Sequence, residues 1–175
     1  RIIESLGRQA DIRSGTERPA IVMALQICIL RDILWIVAGY EDGVLQAWTI
    51  PVSTMEPTLV WTHKSHAESI MALSMSPTCD SVLSLGADYN IVRTALHQEA
   101  VPHVQRIKRP GHACASVRWD ERVCVLGGWD ACARVFTWPS LEPLAKLAYH
   151  KDSIYALSFA RHDAVHVLHA HLDES

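Results

Sequence analysis

The chain has 175 residues and a net charge of −3, with 49% apolar and 20% charged residues. That balance supports a packed domain over disorder and offers no broad basic field for direct binding to nucleic acid or to an anionic membrane. The longest apolar stretch, Ile27 to Ala38, is broken by Arg31-Asp32 and falls short of the roughly 20 residues a membrane-spanning helix needs, so we expect a soluble chain.

The sequence opens on Arg1-Ile2-Ile3 without an initiator methionine and stops at Leu172-Asp173-Glu174-Ser175, where a strand pattern should continue; both ends read as the interior of a longer protein. Residues 1–17 are assigned to the end of a preceding unit or a loop. Residues 18–63 then hold an alternating strand from Ile21 to Ile27, an apolar run from Leu34 that closes on Glu41-Asp42, a second β-rich run from Val44 to Ile50, and a strand from Thr58 to His63. Residues 64–108 repeat the order: Ile70 to Met75, Ser81 to Asp88, Asn90 to Leu96, His103 to Lys108. Residues 109–149 repeat it again with Ala115 to Trp119, Val123 to Asp130, Ala133 to Trp138 and Pro143 to Tyr149, and Ile154 to Phe159 opens an incomplete copy in 150–175.

Period-two alternation in short runs bounded by Pro, Gly, Asp and Ser predicts strands. The turn aspartates Asp42, Asp88 and Asp130 are 46 and 42 residues apart, and a further step of 43 reaches Asp173. That is the period of a four-stranded propeller blade. The expected fold is therefore all-β, about three and a half four-stranded blades. The last strand of each unit is its outer edge, where Lys108 and Lys146 would discourage edge-to-edge pairing.

The five cysteines, Cys28, Cys79, Cys114, Cys124 and Cys132, form no CxxC pair and are odd in number, and no secretory segment precedes them. They are expected to be reduced thiols, several of them small apolar fillers of strands, in a chain that is not secreted.

The order His66, Ser84, Asp88 resembles the WD-repeat β-propeller family. There, a loop His, a strand Ser or Thr and a turn Asp cooperate with a Trp on the next strand. A carboxylate holding an imidazole satisfies the buried polar backbone of a tight turn and fixes blade geometry. Thr94 stands at the Trp position here. The first unit keeps Asp42 and Trp48 but has Arg18-Pro19-Ala20 in place of the His. The third has Gly111-His112, Asp130 and Phe136, and the fourth shows His150.

A narrower likeness runs over about residues 106–160. It is carried by Arg109-Pro110-Gly111-His112, Gly127-Gly128-Trp129-Asp130, Arg134-Val135, Leu141-Glu142-Pro143-Leu144-Ala145, Leu147-Ala148-Tyr149-His150-Lys151 and Tyr155 to Ala160. This string resembles the ASTRA-associated branch of WD-repeat proteins. The resemblance implies a seven-bladed ring, a non-enzymatic scaffold for other proteins in the ASTRA assembly or among chaperones of phosphatidylinositol-3-kinase-related kinases, a link to chromatin remodelling, and a nuclear location with a cytoplasmic pool. After Ala160 the sequence departs from the family pattern.

The residues admit four other readings. His162, His166, His169 and His171 with Asp173 are chemically able to bind zinc, yet on a strand His169 and His171 share one face and His166 takes the other. Ser84, His66 and Asp88 have the residue types of a hydrolytic triad, but no nucleophile elbow accompanies them. Gly127-Gly128 lies between strands and lacks the helix start of a phosphate loop. No metal, cofactor or catalytic residue is therefore assigned, and Trp129 beside Arg109 is the candidate partner contact. The fourth reading is a truncated propeller with no independent function, because an open ring leaves blade faces unpaired.

Overall fold

The computed structural model describes residues 20–97, 102–106, 111–159 and 167–169. Three four-stranded antiparallel sheets follow one another, and a two-stranded sheet begins a fourth. The first contains β1 (Val22–Leu30), β2 (Ile33–Tyr40), β3 (Val44–Pro51) and β4 (Thr58–Lys64) in sequence order. The second contains β5 (Ile70–Met75), β6 (Ser81–Gly86), β7 (Asn90–Ala95) and β8 (Pro102–Arg106), and the third β9 (His112–Val117), β10 (Val123–Gly128), β11 (Ala133–Thr137) and β12 (Pro143–Leu147). Then β13 (Leu157–Phe159) pairs with β14 (Val167–His169). Among the described residues there is no helix long and apolar enough to cross a membrane.

The first strand of each sheet meets the first strand of the next: β1 lies on β5, β5 on β9, and β9 on β13. The sheets thus stack face to face like adjoining blades, and the hydrophobic core lies between them. Trp35, Val37, Leu45 and Ala47 of the first pack on Ile70, Leu73, Val82 and Leu96 of the second. At the next seam Leu83, Leu85 and Ile91 meet Val117, Leu126, Phe136, Trp138 and Leu141.

This stacking explains the sequence pattern. A strand covered on both faces reads as a continuous apolar run, and every residue of β6 is buried. The outer strands β4 and β12 are largely exposed. On β1, Leu25, Ile27 and Ile29 are exposed while Ala24, Cys28 and Leu30 pack on the second sheet, because only one face of that strand has a neighbouring blade here.

Several strand boundaries differ from expectation; β12 ends at Leu147 and β13 begins only at Leu157. β1 runs on to Leu30, because Arg31 and Asp32 both take positive φ (50° and 60°) and close a two-residue hairpin onto Ile33. β9 spans His112–Val117 instead of Ala115 to Trp119, because Glu121 N–H bonds Arg118 C=O at 2.9 Å and Glu121 has φ 53°, which makes 118–121 a turn.

The expectation of reduced thiols also changes. Cys114, Cys124 and Cys132 are free, but Cys28 on β1 and Cys79 in the β5–β6 turn are joined as a disulfide with Cα atoms 6.3 Å apart. They are 51 residues apart in the chain, so only blade-on-blade packing makes them neighbours.

Candidate functional site: the turn network at one end of the blades

The β2–β3, β6–β7 and β10–β11 turns share one construction. The residue after each turn Asp has positive φ: Gly43 (79°), Tyr89 (64°) and Ala131 (58°). In the first two the Asp side chain turns back on the backbone, with Val44 N–H on Asp42 Oδ1 at 3.2 Å and Asn90 N–H on Asp88 Oδ1 at 3.1 Å. A short carboxylate can satisfy an amide two residues ahead, which is why Asp recurs at this place. At Gly43 a Cβ would also stand 2.2 Å from His66 C=O, so this turn has no room for a side chain.

In the second blade His66 lies between Asp88 and Ser84, with Nδ1 2.9 Å from Asp88 Oδ1 and Nε2 2.8 Å from Ser84 Oγ. Against the ionised carboxylate Nδ1 carries the proton, so Nε2 accepts from the Ser84 hydroxyl. Asp88 also accepts from Ala67 N–H at 2.9 Å. Burial pushes the Asp88 carboxyl up, but the bonds from Ala67, His66 and Asn90 outweigh it and hold it below the usual carboxylate range. Burial lowers the His66 pKa, and the pull of Asp88 only partly offsets this. The ring is therefore neutral at pH 7.

Such a cluster could be mistaken for a hydrolytic triad. Ser84, however, has no solvent-exposed surface and His66 is 2% exposed. A hydroxyl sealed between sheets cannot meet a substrate, so these three residues act as a strut.

The other blades solve the same turn differently. Strand register makes Tyr40, Gly86 and Gly128 equivalent, since they pair with Val22, Ile70 and His112. A Cβ on Gly86 would be 2.2 Å from His66 Nδ1, so a side chain here takes the space of the imidazole. In the first blade, which has no His before β1, Tyr40 takes that position, fully buried, and its hydroxyl donates to Gln46 Oε1 at 2.7 Å. Gln46 Nε2 in turn donates to Thr62 Oγ1 at 3.2 Å.

The third blade differs from expectation. His112 pairs with Gly128 as Ile70 pairs with Gly86, so it stands four residues beyond the position of His66 and does not touch Asp130 through a hydrogen bond. Asp130 is instead held by Arg134, with Nη1 on Oδ1 at 2.9 Å and Nη2 on Oδ2. This hydrogen bonding pulls the Asp130 pKa down to about 2. His112 Nε2 lies 3.4 Å from Arg134 Nη1. Burial, reinforced by the guanidinium, lowers the His112 pKa to about 4 despite the opposing carboxylate.

The turn contacts of Arg134, Tyr40 and Gln46 come from the structure. Gln46, Val92 and Arg134 all stand four residues after a turn Asp, and Tyr40, Gly86 and Gly128 two before it, so aligning the repeats on Asp42, Asp88 and Asp130 would have displayed both columns.

At the Trp column, Phe136 is buried in the core between the second and third blades, and Thr94 has no exposed surface. Trp48 is partly buried. His150 stands four residues before the buried Ile154, the spacing of His66 to Ile70. Its counterpart Asp173 lies outside the described residues, as do Arg109, His162, His166 and His171, while only the backbone of His169 is described. Among the described residues no group of three or more His, Cys, Asp or Glu could hold a metal.

Trp129 is 39% exposed, its carbonyl accepts from Ser153 Oγ of the next blade at 3.0 Å, and its ring covers Gly111, where a Cβ would lie 2.4 Å from it. Ser69 Oγ makes the same link to Glu41 C=O at 2.6 Å. The two seams are thus bolted alike.

Stacked four-stranded sheets with the His66–Ser84–Asp88 network coincide with the comparisons with known proteins. A mouse protein named guanine nucleotide-binding protein subunit beta-like protein 1 is 30% identical over 150 residues, covering 82% of this chain and 44% of that protein. ASTRA-associated protein 1 of Verticillium alfalfae is 29% identical over 147 residues, covering 80% of this chain and 36% of its own length. The chain has the blade architecture of a WD-repeat propeller and is similar in sequence to both of these proteins. ASTRA-associated protein 1 of Schizosaccharomyces pombe is 28% identical over 181 residues, covering 89% of this chain and 48% of that protein. The chain therefore spans less than half the length of these curated relatives. No protein-family profile matches it.

Proposed function

We propose that this chain contributes blades to a non-enzymatic scaffold that joins other proteins in an ASTRA-type assembly, with the kinase-chaperone and chromatin-remodelling roles and nuclear location that the resemblance implies. The observation carrying this reading is the similarity over 80–89% of the chain to proteins named ASTRA-associated protein 1. Rigid sheets supply the platform. Their turn end presents Tyr89, Trp129 and Tyr149, exposed by 44%, 39% and 87%, and exposed aromatics anchor protein interfaces well.

The test is affinity purification of the tagged full-length protein from its native cells under mild conditions. ASTRA subunits or large kinases of that class should co-purify, and Trp129→Ala should weaken recovery about tenfold, the loss of an anchor worth about 1.4 kcal/mol. Recovery of the lone protein, free of such partners, would refute the reading.

A further inference from the structure

The seam between the first and second blades carries a chemical feature that scaffolding does not use. Cys28 sits in the β1–β2 ladder opposite Trp35. Cys79 sits in the β5–β6 turn, where its N–H bonds Ser76 C=O at 2.9 Å and its carbonyl lies 2.7 Å from His97 Nε2. The His97 ring meets the Trp35 ring edge-on, with centroids 4.8 Å apart. Each cysteine is thus positioned by contacts independent of the other sulfur. Their Cα separation of 6.3 Å falls within the range a disulfide spans. The three other cysteines are free thiols, and burial raises Cys114 and Cys124 to about 11 and about 12, which leaves them poor nucleophiles.

We propose that Cys28 and Cys79 form a reversible disulfide clamp between adjacent blades, closed by a small-molecule disulfide such as oxidised glutathione and opened by a thiol. The part-buried Cys28 is the more reachable partner, since Cys79 is only 5% exposed. The Cys28 thiolate attacks a sulfur of glutathione disulfide, forming a mixed disulfide and expelling one glutathione thiolate. The Cys79 thiolate then attacks the Cys28 sulfur and expels the second. The two protons lost by the cysteines protonate the two leaving thiolates, so two protein thiols are oxidised and one glutathione disulfide is reduced. The second step needs no chain search, because the folded seam already holds the sulfurs together, which favours closure over a lasting mixed disulfide.

The packing of β1 against β5 ties the two blades together, and the bond would act directly on that contact. A bond closing a loop of about fifty residues removes much unfolded-state freedom.

The experiment uses the full-length protein, treated with either oxidised glutathione or dithiothreitol, then blocked with N-ethylmaleimide and digested without reduction for mass spectrometry. After oxidation the peptides bearing Cys28 and Cys79 should appear linked, and dithiothreitol should return both as alkylated monomers. The oxidised protein should melt roughly 5–15 °C higher than the reduced one, and this gap should vanish in Cys28→Ser and in Cys79→Ser. Alkylation of both cysteines after oxidation, glutathione retained on Cys28, or a melting gap that survives in either variant would overturn the proposal. The mass-spectrometric result on the unmutated protein decides the matter even if a serine variant folds poorly.

Discussion

Acid should loosen the third blade through one residue, His112. It is 2% exposed, its Nε2 lies 3.4 Å from Arg134 Nη1, and its pKa is depressed from 6.5 to about 4. Protonation would bury a second positive charge beside the guanidinium. The depressed folded value means that the unfolded chain binds this proton more readily than the native one. The stabilisation is therefore complete above pH 6.5 and is lost as pH falls towards 4. A gap of that size, at 1.36 kcal/mol per pH unit, corresponds to about 3 kcal/mol, a large part of the stability of an ordinary domain.

The assay is urea unfolding of the full-length protein at steps from pH 7 to pH 4, on the unmutated protein and on His112→Gln, whose amide oxygen can still accept from Arg134. His66, also depressed, adds a slope of the same sign in both proteins. The unmutated protein should lose stability more steeply, by about one proton's worth between pH 6.5 and 4. Equal slopes, or an imidazole of His112 that titrates near 6.5 in the NMR spectrum of the folded protein, would refute the reasoning.

Other changes probe the remaining contacts. His66→Ala should cost about 2–4 kcal/mol in denaturant unfolding, since it strips partners from buried Ser84 and from Asp88; the double variant with Ser84→Ala should fall short of the summed single losses by at least 0.5 kcal/mol or so. Arg134→Met should let the Asp130 carboxyl rise from about 2 towards the usual carboxylate range, followed by its NMR titration, and should destabilise the protein by about 1–3 kcal/mol. Gly39→Ala would set a Cβ 2.6 Å from Ile70 Cγ2 of the next blade, an overpacking cost of about 1–3 kcal/mol that Ile70→Ala should not add to in full.

Much of this architecture was legible in the sequence because it is local. Turn aspartates are required where a tight turn leaves an amide to satisfy two residues on, as at Asp42 and Asp88, and a repeated requirement at a near-constant interval reveals the blade. The apolar runs of β2, β6 and β10 follow from strands covered on both faces. His66, Ser84 and Asp88 were readable together because one blade supplies the whole network.

Tertiary packing decided the rest. Spacing separates the two histidines, since His66 stands 22 residues before Asp88 and His112 only 18 before Asp130, but it takes strand pairing with Gly128 to place His112 where Ile70 stands and leave Asp130 to Arg134. Nor could it show that Tyr40 fills the space an imidazole takes elsewhere, because that depends on which side chain faces a glycine across the turn. Cys28 and Cys79 meet only because β1 lies against β5. Contacts between groups a blade apart depend on distance in space, which composition and spacing along the chain do not encode.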